Sequence, residues 1–121
     1  MSKRVLVCDD EPEIAELIAQ YFEALGCEVD TYTDAVKGFK KATEEDFHLI
    51  TLDLMMPGMN GSLAANSITM VKPDANILLI TGLDASHELV QEALRNGPNV
   101  KVLHKPFTLD VLGKMLESLG I

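Results

Sequence analysis

Asp53 ends the apolar and β-branched run Leu49-Ile50-Thr51-Leu52 and is followed by a breaker-rich stretch from Leu54 to Gly61. A carboxylate so placed reads as the last residue of a buried strand, where the sheet meets solvent. In an open α/β sheet that carboxyl end is where ligands bind. Asp9 and Asp10 close the run Val5-Leu6-Val7-Cys8 in the same way, Thr81 closes a later run, and Lys105 follows another. Clustered carboxylates repel one another, and a hard cation with oxygen ligands, such as Mg²⁺, relieves that repulsion. A carboxylate beside such an ion can attack phosphorus and form an acyl phosphate. Phosphoryl transfer further needs charge neutralised on the transferred oxygens, and Lys105 and the Thr81 hydroxyl are groups suited to that. One acid at a strand end is an ordinary loop or helix cap. Asp-Asp, Asp, Thr and Lys delivered to one rim by successive strands make a site.

The elements that must position these groups can be read along the chain. Arg4 to Cys8 reads as a strand, with Asp9-Asp10-Glu11 as its exit and Pro12 suited to the first turn of a helix. Ile14, Leu17, Ile18, Tyr21, Phe22 and Leu25 recur at helical spacing before Gly26. Glu28 to Tyr32 is a second strand, more polar than the rest and so expected at an edge. Asp34 is placed to cap a helix reaching about Glu45. The strand carrying Asp53 precedes a helix expected from Ser62 to Val71. Asn76 to Thr81 is a continuous apolar strand of the kind covered on both faces. A helix is expected from Asp84 to Arg95, a strand from Val100 to His104, and a last helix from Phe107 to Leu119. Strands alternating with helices in this way imply a parallel sheet with right-handed crossovers and helices on both faces.

A chain of 121 residues is one domain's worth, here taken as a single unit over 1–121. Apolar content of 47% and charged content of 24% are ordinary for a globular protein. The net charge of −9 argues against nucleic acid or an anionic membrane as direct partner. No apolar stretch approaches the roughly 20 residues of a membrane span. The first residues lack the form of a signal peptide, so the cytoplasm is the expected location. Cys8 and Cys27 fall at opposite ends of neighbouring strands, roughly 10 Å or more apart. Both are expected to be free thiols, since a disulfide needs Cα atoms within about 7 Å.

With these residues in place, the chain resembles the receiver domain of two-component response regulators along essentially its whole length. The resemblance rests on Asp9-Asp10, on Asp53 with Met56-Pro57-Gly58 and Gly61, on Thr81, and on Lys105-Pro106-Phe107. It implies a flavodoxin-like (βα)5 three-layer sandwich with strand order 2-1-3-4-5. It implies that Asp53 accepts a phosphoryl group from a phosphohistidine on a sensor histidine kinase or phosphotransfer protein. Asp10, Asp53 and the backbone carbonyl of Met55 would bind Mg²⁺ directly, or Mn²⁺ in its place, with Asp9 acting through water. Lys105 and Thr81 would be phosphoryl ligands, Thr81 moving toward the phosphate to report activation. The side formed by the fourth helix, fifth strand and fifth helix would then control an output domain or protein, or pair with a second copy. Such a domain catalyses its own phosphorylation and dephosphorylation without being a conventional enzyme. In the family picture, the residues at Met55 and Leu83 flank the path by which water attacks the phosphoryl group.

Departures from the family pattern gather on the signalling side. Val102 stands where Tyr or Phe is common, Gly82 where Ala is usual, and the turn Asn96 to Lys101 looks longer than usual. A degenerate receiver acting as a constitutive interaction module is the alternative, but that reading normally comes with loss of the acceptor, an acidic partner or the Lys. A dehalogenase-like phosphohydrolase wants an Asp two residues beyond its nucleophile, and that residue is Met55. Flavin binding wants a hydroxyl- and Gly-rich loop after the first strand, where Asp9-Asp10-Glu11 would repel a phosphate. His104 reads as a packed or half-exposed bystander rather than a phosphorylation site or metal ligand. The bond before Pro106 is a candidate for the cis form.

Overall fold

A computed structural model describes residues 3–120. Five parallel strands form the main sheet: β1 (Arg4–Cys8), β2 (Glu28–Tyr32), β3 (Leu49–Asp53), β6 (Ile77–Thr81) and β7 (Val100–His104), in the order β2-β1-β3-β6-β7. This is the expected 2-1-3-4-5 order, counting the strands of that sheet alone. Five helices connect and cover it: α1 (Pro12–Ala24), α2 (Ala35–Glu44), α3 (Gly61–Val71), α4 (Glu88–Leu94) and α5 (Leu109–Ser118). The result is the flavodoxin-like three-layer sandwich.

Burial follows position in the sheet. β3 and β6 are buried at every residue, whereas β2, at one edge, has none buried. Pleat alternation sends Leu6, Cys8, Ile50, Leu52, Ile77 and Leu79 into one core layer with α2, α3 and α4. Val5, Val7, Leu49, Leu78, Ile80 and Leu103 enter the other with α1 and α5, around Ile18 and Phe22. Truncating a fully buried Ile or Leu of this kind to Ala costs about 2–5 kcal/mol.

Four helices start on a side-chain cap. Asp34 accepts from Lys37 N–H, Asn60 from Ser62 and Leu63, His87 Nδ1 from Leu89, and Thr108 from Val111. These caps correct three expected boundaries. Asn60 starts α3 at Gly61 rather than Ser62, and Thr108 starts α5 at Leu109 rather than Phe107. The helix expected from Asp84 begins only at Glu88, because Asp84 to Ser86 turn on themselves first: His87 N–H donates to Asp84 O (3.0 Å) and Ser86 Oγ to Asp84 Oδ1 (3.0 Å). The stretch after Asp53 is also more ordered than a plain loop. Met55–Met56 (β4) pairs antiparallel with Met59–Asn60 (β5) across Pro57 and Gly58, whose φ of 79° suits glycine.

The two ends of the sheet differ in chemistry. At the N-terminal end Arg4 bonds Glu45 (2.8 Å) and Asp30 (3.2 Å) and lies over the Phe47 ring, 4.5 Å from its centroid. Lys72 donates to the carbonyls of Ala42 and Glu45, tying α3 to the end of α2. Arg4 pairs with Glu28 in the β1–β2 register while Cys8 pairs with Tyr32, so Cys27 sits at this end and Cys8 at the other. Both thiols are free, as expected.

Candidate functional site

The C-terminal rim of the sheet gathers the acids. Asp9 and Asp53 continue the pleat phase of Val7 and Leu49, and β1 and β3 are direct neighbours. Asp9 is 1% exposed and Asp53 8% exposed. Asp9, Asp10, Glu11 and Asp53 each offer a carboxylate oxygen, and these oxygens lie within 4.8 Å of one another.

One cation faces them. Lys105, beyond the end of β7, places Nζ 3.2 Å from Asp53 Oδ2, 3.3 Å from Asp9 Oδ2 and 3.3 Å from Glu11 Oε1. It is held there by backbone, as Lys105 N–H donates to Thr81 O at 2.7 Å. The Lys105–Pro106 bond is cis. The other Asp53 oxygen accepts the Met55 N–H at 3.2 Å. Burial pushes the Asp53 carboxyl above its usual range, and the Met55 N–H and Lys105 pull against that rise. Burial alone would lower the Lys105 ammonium, but Asp53 and Asp9 outweigh it and the net shift is upward.

Four carboxylates against one ammonium leave the rim short of positive charge. Asp9 Oδ1 accepts the Glu11 N–H at 2.9 Å. Its Oδ2, fully buried, finds no hydrogen-bond partner among the described residues, although Lys105 Nζ is near. Its one charge partner among the described residues, Lys105, is shared with Asp53 and Glu11. An all-oxygen donor set so short of positive charge fits a hard divalent cation. Asp9, Asp10, Glu11 and Asp53 are the carboxylates whose oxygens lie close enough together to share one ion. Asp9 is the buried member of the Asp pair and Asp10 the exposed one. Asp9 does not cap α1; Glu11 occupies that position, with no side-chain cap.

Gly61 fixes the turn beyond Asp53. A Cβ there would lie 2.7 Å from Leu54 Cα and 2.8 Å from Asp53 O, and Gly61 N–H donates to Leu54 O at 2.7 Å. The first residue of α3 therefore packs directly against the backbone of Asp53 and Leu54.

Thr81 stands on β6 one step past Ile80, the partner of Asp53 in register. Its side chain is buried, and its hydroxyl accepts the Leu83 N–H at 3.0 Å. Val102 is buried with Val90 and Ala93 in the core layer beneath α4. His104 lies outside the acidic cluster; its ring is exposed and its Nδ1 is 2.8 Å from Leu83 O. Glu11 is the site residue that sequence reasoning passed over. Its signal was adjacency, as the third acid in Asp9-Asp10-Glu11, but only the fold shows that it reaches Lys105.

Residues 5–117 match the response regulator receiver domain, and the chain belongs to that family. It is 30% identical over 120 residues to the response regulator receiver protein CpdR of Brucella abortus, with 98% of each chain covered. It is 34% identical over 120 residues to the chemotaxis protein CheY of Treponema pallidum, covering 94% of this chain and 83% of that one. The response regulator TrrA of Thermotoga maritima, solved in complex with Mg(2+)-BeF, shares 32% identity and a TM-score of 0.83, with 97% and 98% of the chains covered. Other relatives are longer, and the chain spans 15%, 48% and 53% of three transcriptional or regulatory proteins. The chain is thus a CheY-like receiver domain of the two-component response regulators, a class of signalling module. No helix among the described residues is long and apolar enough to cross a membrane.

Proposed function

We propose that Asp53 is the phosphoacceptor of this domain. A carboxylate oxygen of Asp53 attacks phosphorus on the phosphohistidine of a sensor kinase or phosphotransfer protein. The P–N bond breaks, an acyl phosphate forms, and the imidazole departs. The observation that carries this reading is the convergence of Lys105 Nζ on Asp53, Asp9 and Glu11 within 3.3 Å.

Lys105 shields the acceptor's charge before transfer and is positioned to pair with a phosphoryl oxygen after it. The Thr81 hydroxyl supplies a second contact by turning its O–H toward a phosphoryl oxygen. Asp10, Asp53 and the Met55 carbonyl would hold Mg²⁺, or Mn²⁺ in its place, with Asp9 acting through water; the ion would supply charge neutralisation on the phosphoryl oxygens. The whole chain acts as one receiver unit in the cytoplasm. Its output is an attached domain, a separate protein or a second copy, reached through α4, β7 and α5.

Incubation with acetyl phosphate or BeF₃⁻ tests the reading. Uptake should require Mg²⁺ and vanish in Asp53→Asn, and the phosphate should be labile to base and hydroxylamine. Asp10→Ala should abolish Mg²⁺ binding and leave the fold intact. Label persisting in Asp53→Asn would move the acceptor elsewhere.

A further inference from the structure

Leu83 is pinned at both ends of one residue. Its N–H donates to Thr81 Oγ1 at 3.0 Å, and its carbonyl oxygen lies 2.8 Å from His104 Nδ1. A carbonyl can only accept, so His104 Nδ1 carries the proton and donates. The geometry follows from register. Thr81 and His104 are paired residues of β6 and β7, and pleat alternation places both in phase with Leu79 and Val102. The loop leaving Thr81 therefore passes over the side chain that ends β7. Val102, two residues earlier, is buried against Val90 and Ala93 and has no ring to reach that loop.

We infer that His104 is a positioning residue for the phosphorylation switch, its imidazole holding the loop Gly82-Leu83-Asp84 in the conformation that keeps the Thr81 hydroxyl turned away from Asp53. This rests on the phosphoacceptor reading of Asp53. Thr81 is in pleat phase with Leu79 and Asp53 with Leu49, which enter opposite core layers, so the Thr81 hydroxyl must turn from its place on the Leu83 N–H to give its O–H to a phosphoryl oxygen on Asp53. The Leu83 peptide units must then shift, and the His104 hydrogen bond resists that shift. Here the strand β7 restrains the loop through the residue next to Lys105, in place of a ring at position 102. A hydrogen bond of this kind biases two conformations by the net value of one such bond, a factor of about two to ten. Removing it lowers the cost of switching.

The test is a titration of the whole chain with BeF₃⁻ at saturating Mg²⁺, alongside amide exchange without BeF₃⁻. His104→Ala and His104→Phe should each bind BeF₃⁻ about two- to tenfold more tightly than wild type. Leu83 N–H should exchange faster in both, while amides of β1 and β3 keep their rates. His104→Asn carries a side-chain nitrogen where Nδ1 stood and should behave as wild type. Should His104→Ala unfold, His104→Phe and His104→Asn carry the comparison alone. Unchanged affinity in His104→Phe, or a shift in His104→Asn equal to that in His104→Phe, overturns the inference and leaves Asp53 as acceptor. Failure of the wild type to take up BeF₃⁻ overturns the acceptor reading and this inference with it.

Discussion

Lys105 Nζ lies 3.2 Å from Asp53 Oδ2, joining residues 52 positions apart in sequence. The same ammonium reaches Asp9 and Glu11, so it occupies the charge that a divalent cation would otherwise satisfy. Ammonium and metal therefore compete for one set of carboxylates. Lys105→Met should tighten Mg²⁺ binding by about three- to tenfold, the worth of a partly screened unit charge at this range. It should at the same time weaken BeF₃⁻ uptake. Isothermal titration of each ligand in turn checks both signs.

The lifetime of the acyl phosphate should be long. Met55 is 54% exposed and Leu83 half-buried, and neither carries a group that can orient or deprotonate an attacking water. Met55→Asn combined with Leu83→Glu should speed loss of phosphate at least about tenfold. The decay of acetyl-phosphate-labelled protein after donor removal measures it. An unchanged or slower decay would show that water approaches by another route.

Gly61→Ala should damage the site more than the fold. Its Cβ would meet Leu54 Cα at 2.7 Å and Asp53 O at 2.8 Å, both backbone atoms that cannot swing aside. The expected loss of stability is about 1–3 kcal/mol, typical of an overpacked position. Phosphorylation at full folding should also fall, because the displaced backbone belongs to the acceptor. Urea unfolding and labelling measured on one preparation separate the two effects.

Thr51 lies in the middle of β3, 1% exposed, with a hydroxyl that has no hydrogen-bond partner among the described residues. Thr51→Val keeps the shape and removes the unsatisfied group. It should raise unfolding free energy by about 1 kcal/mol. A lower value would reveal a partner for that hydroxyl, such as an ordered water.

Glu45 should make the fold acid-sensitive at the end of the sheet away from the site. Hydrogen bonds from Lys41 and Arg4 hold its carboxyl below the usual value of 4.5. A depressed carboxyl stabilises the folded state above its unfolded pKa and loses that contribution as pH falls through the folded one. Urea midpoints of wild type and Glu45→Gln should differ at pH 7 and converge as the pH falls below 4.5 and through the lowered folded value. A gap that persists at acid pH would mean that packing, not charge, connects α2 to β1.

The fold and the residues of the rim were legible in the sequence for a physical reason. Strands buried on both faces, such as Ile77 to Ile80, must be apolar throughout, and the acid that interrupts such a run marks its end. Periodicity placed α1, and the Asp34 cap placed α2, within a residue or two, since both signals are local. Where a short-range capping bond competed with periodicity, as at His87 and Thr108, the boundary moved. The β4–β5 hairpin escaped notice because its strands are two residues each, below any period.

What tertiary structure alone decided is which groups touch. Sequence determined that Asp9, Asp10, Asp53, Thr81 and Lys105 would share a rim, because strand order and pleat follow from hydrophobic pattern and crossover handedness. It did not determine that Glu11 would reach Lys105, or that Asp9 would be the buried acid of its pair. Nor did it place the His104 ring against the carbonyl of Leu83, 21 positions away. Those contacts depend on side-chain direction and on loop paths set by packing across the sheet, and no local pattern in the chain encodes them.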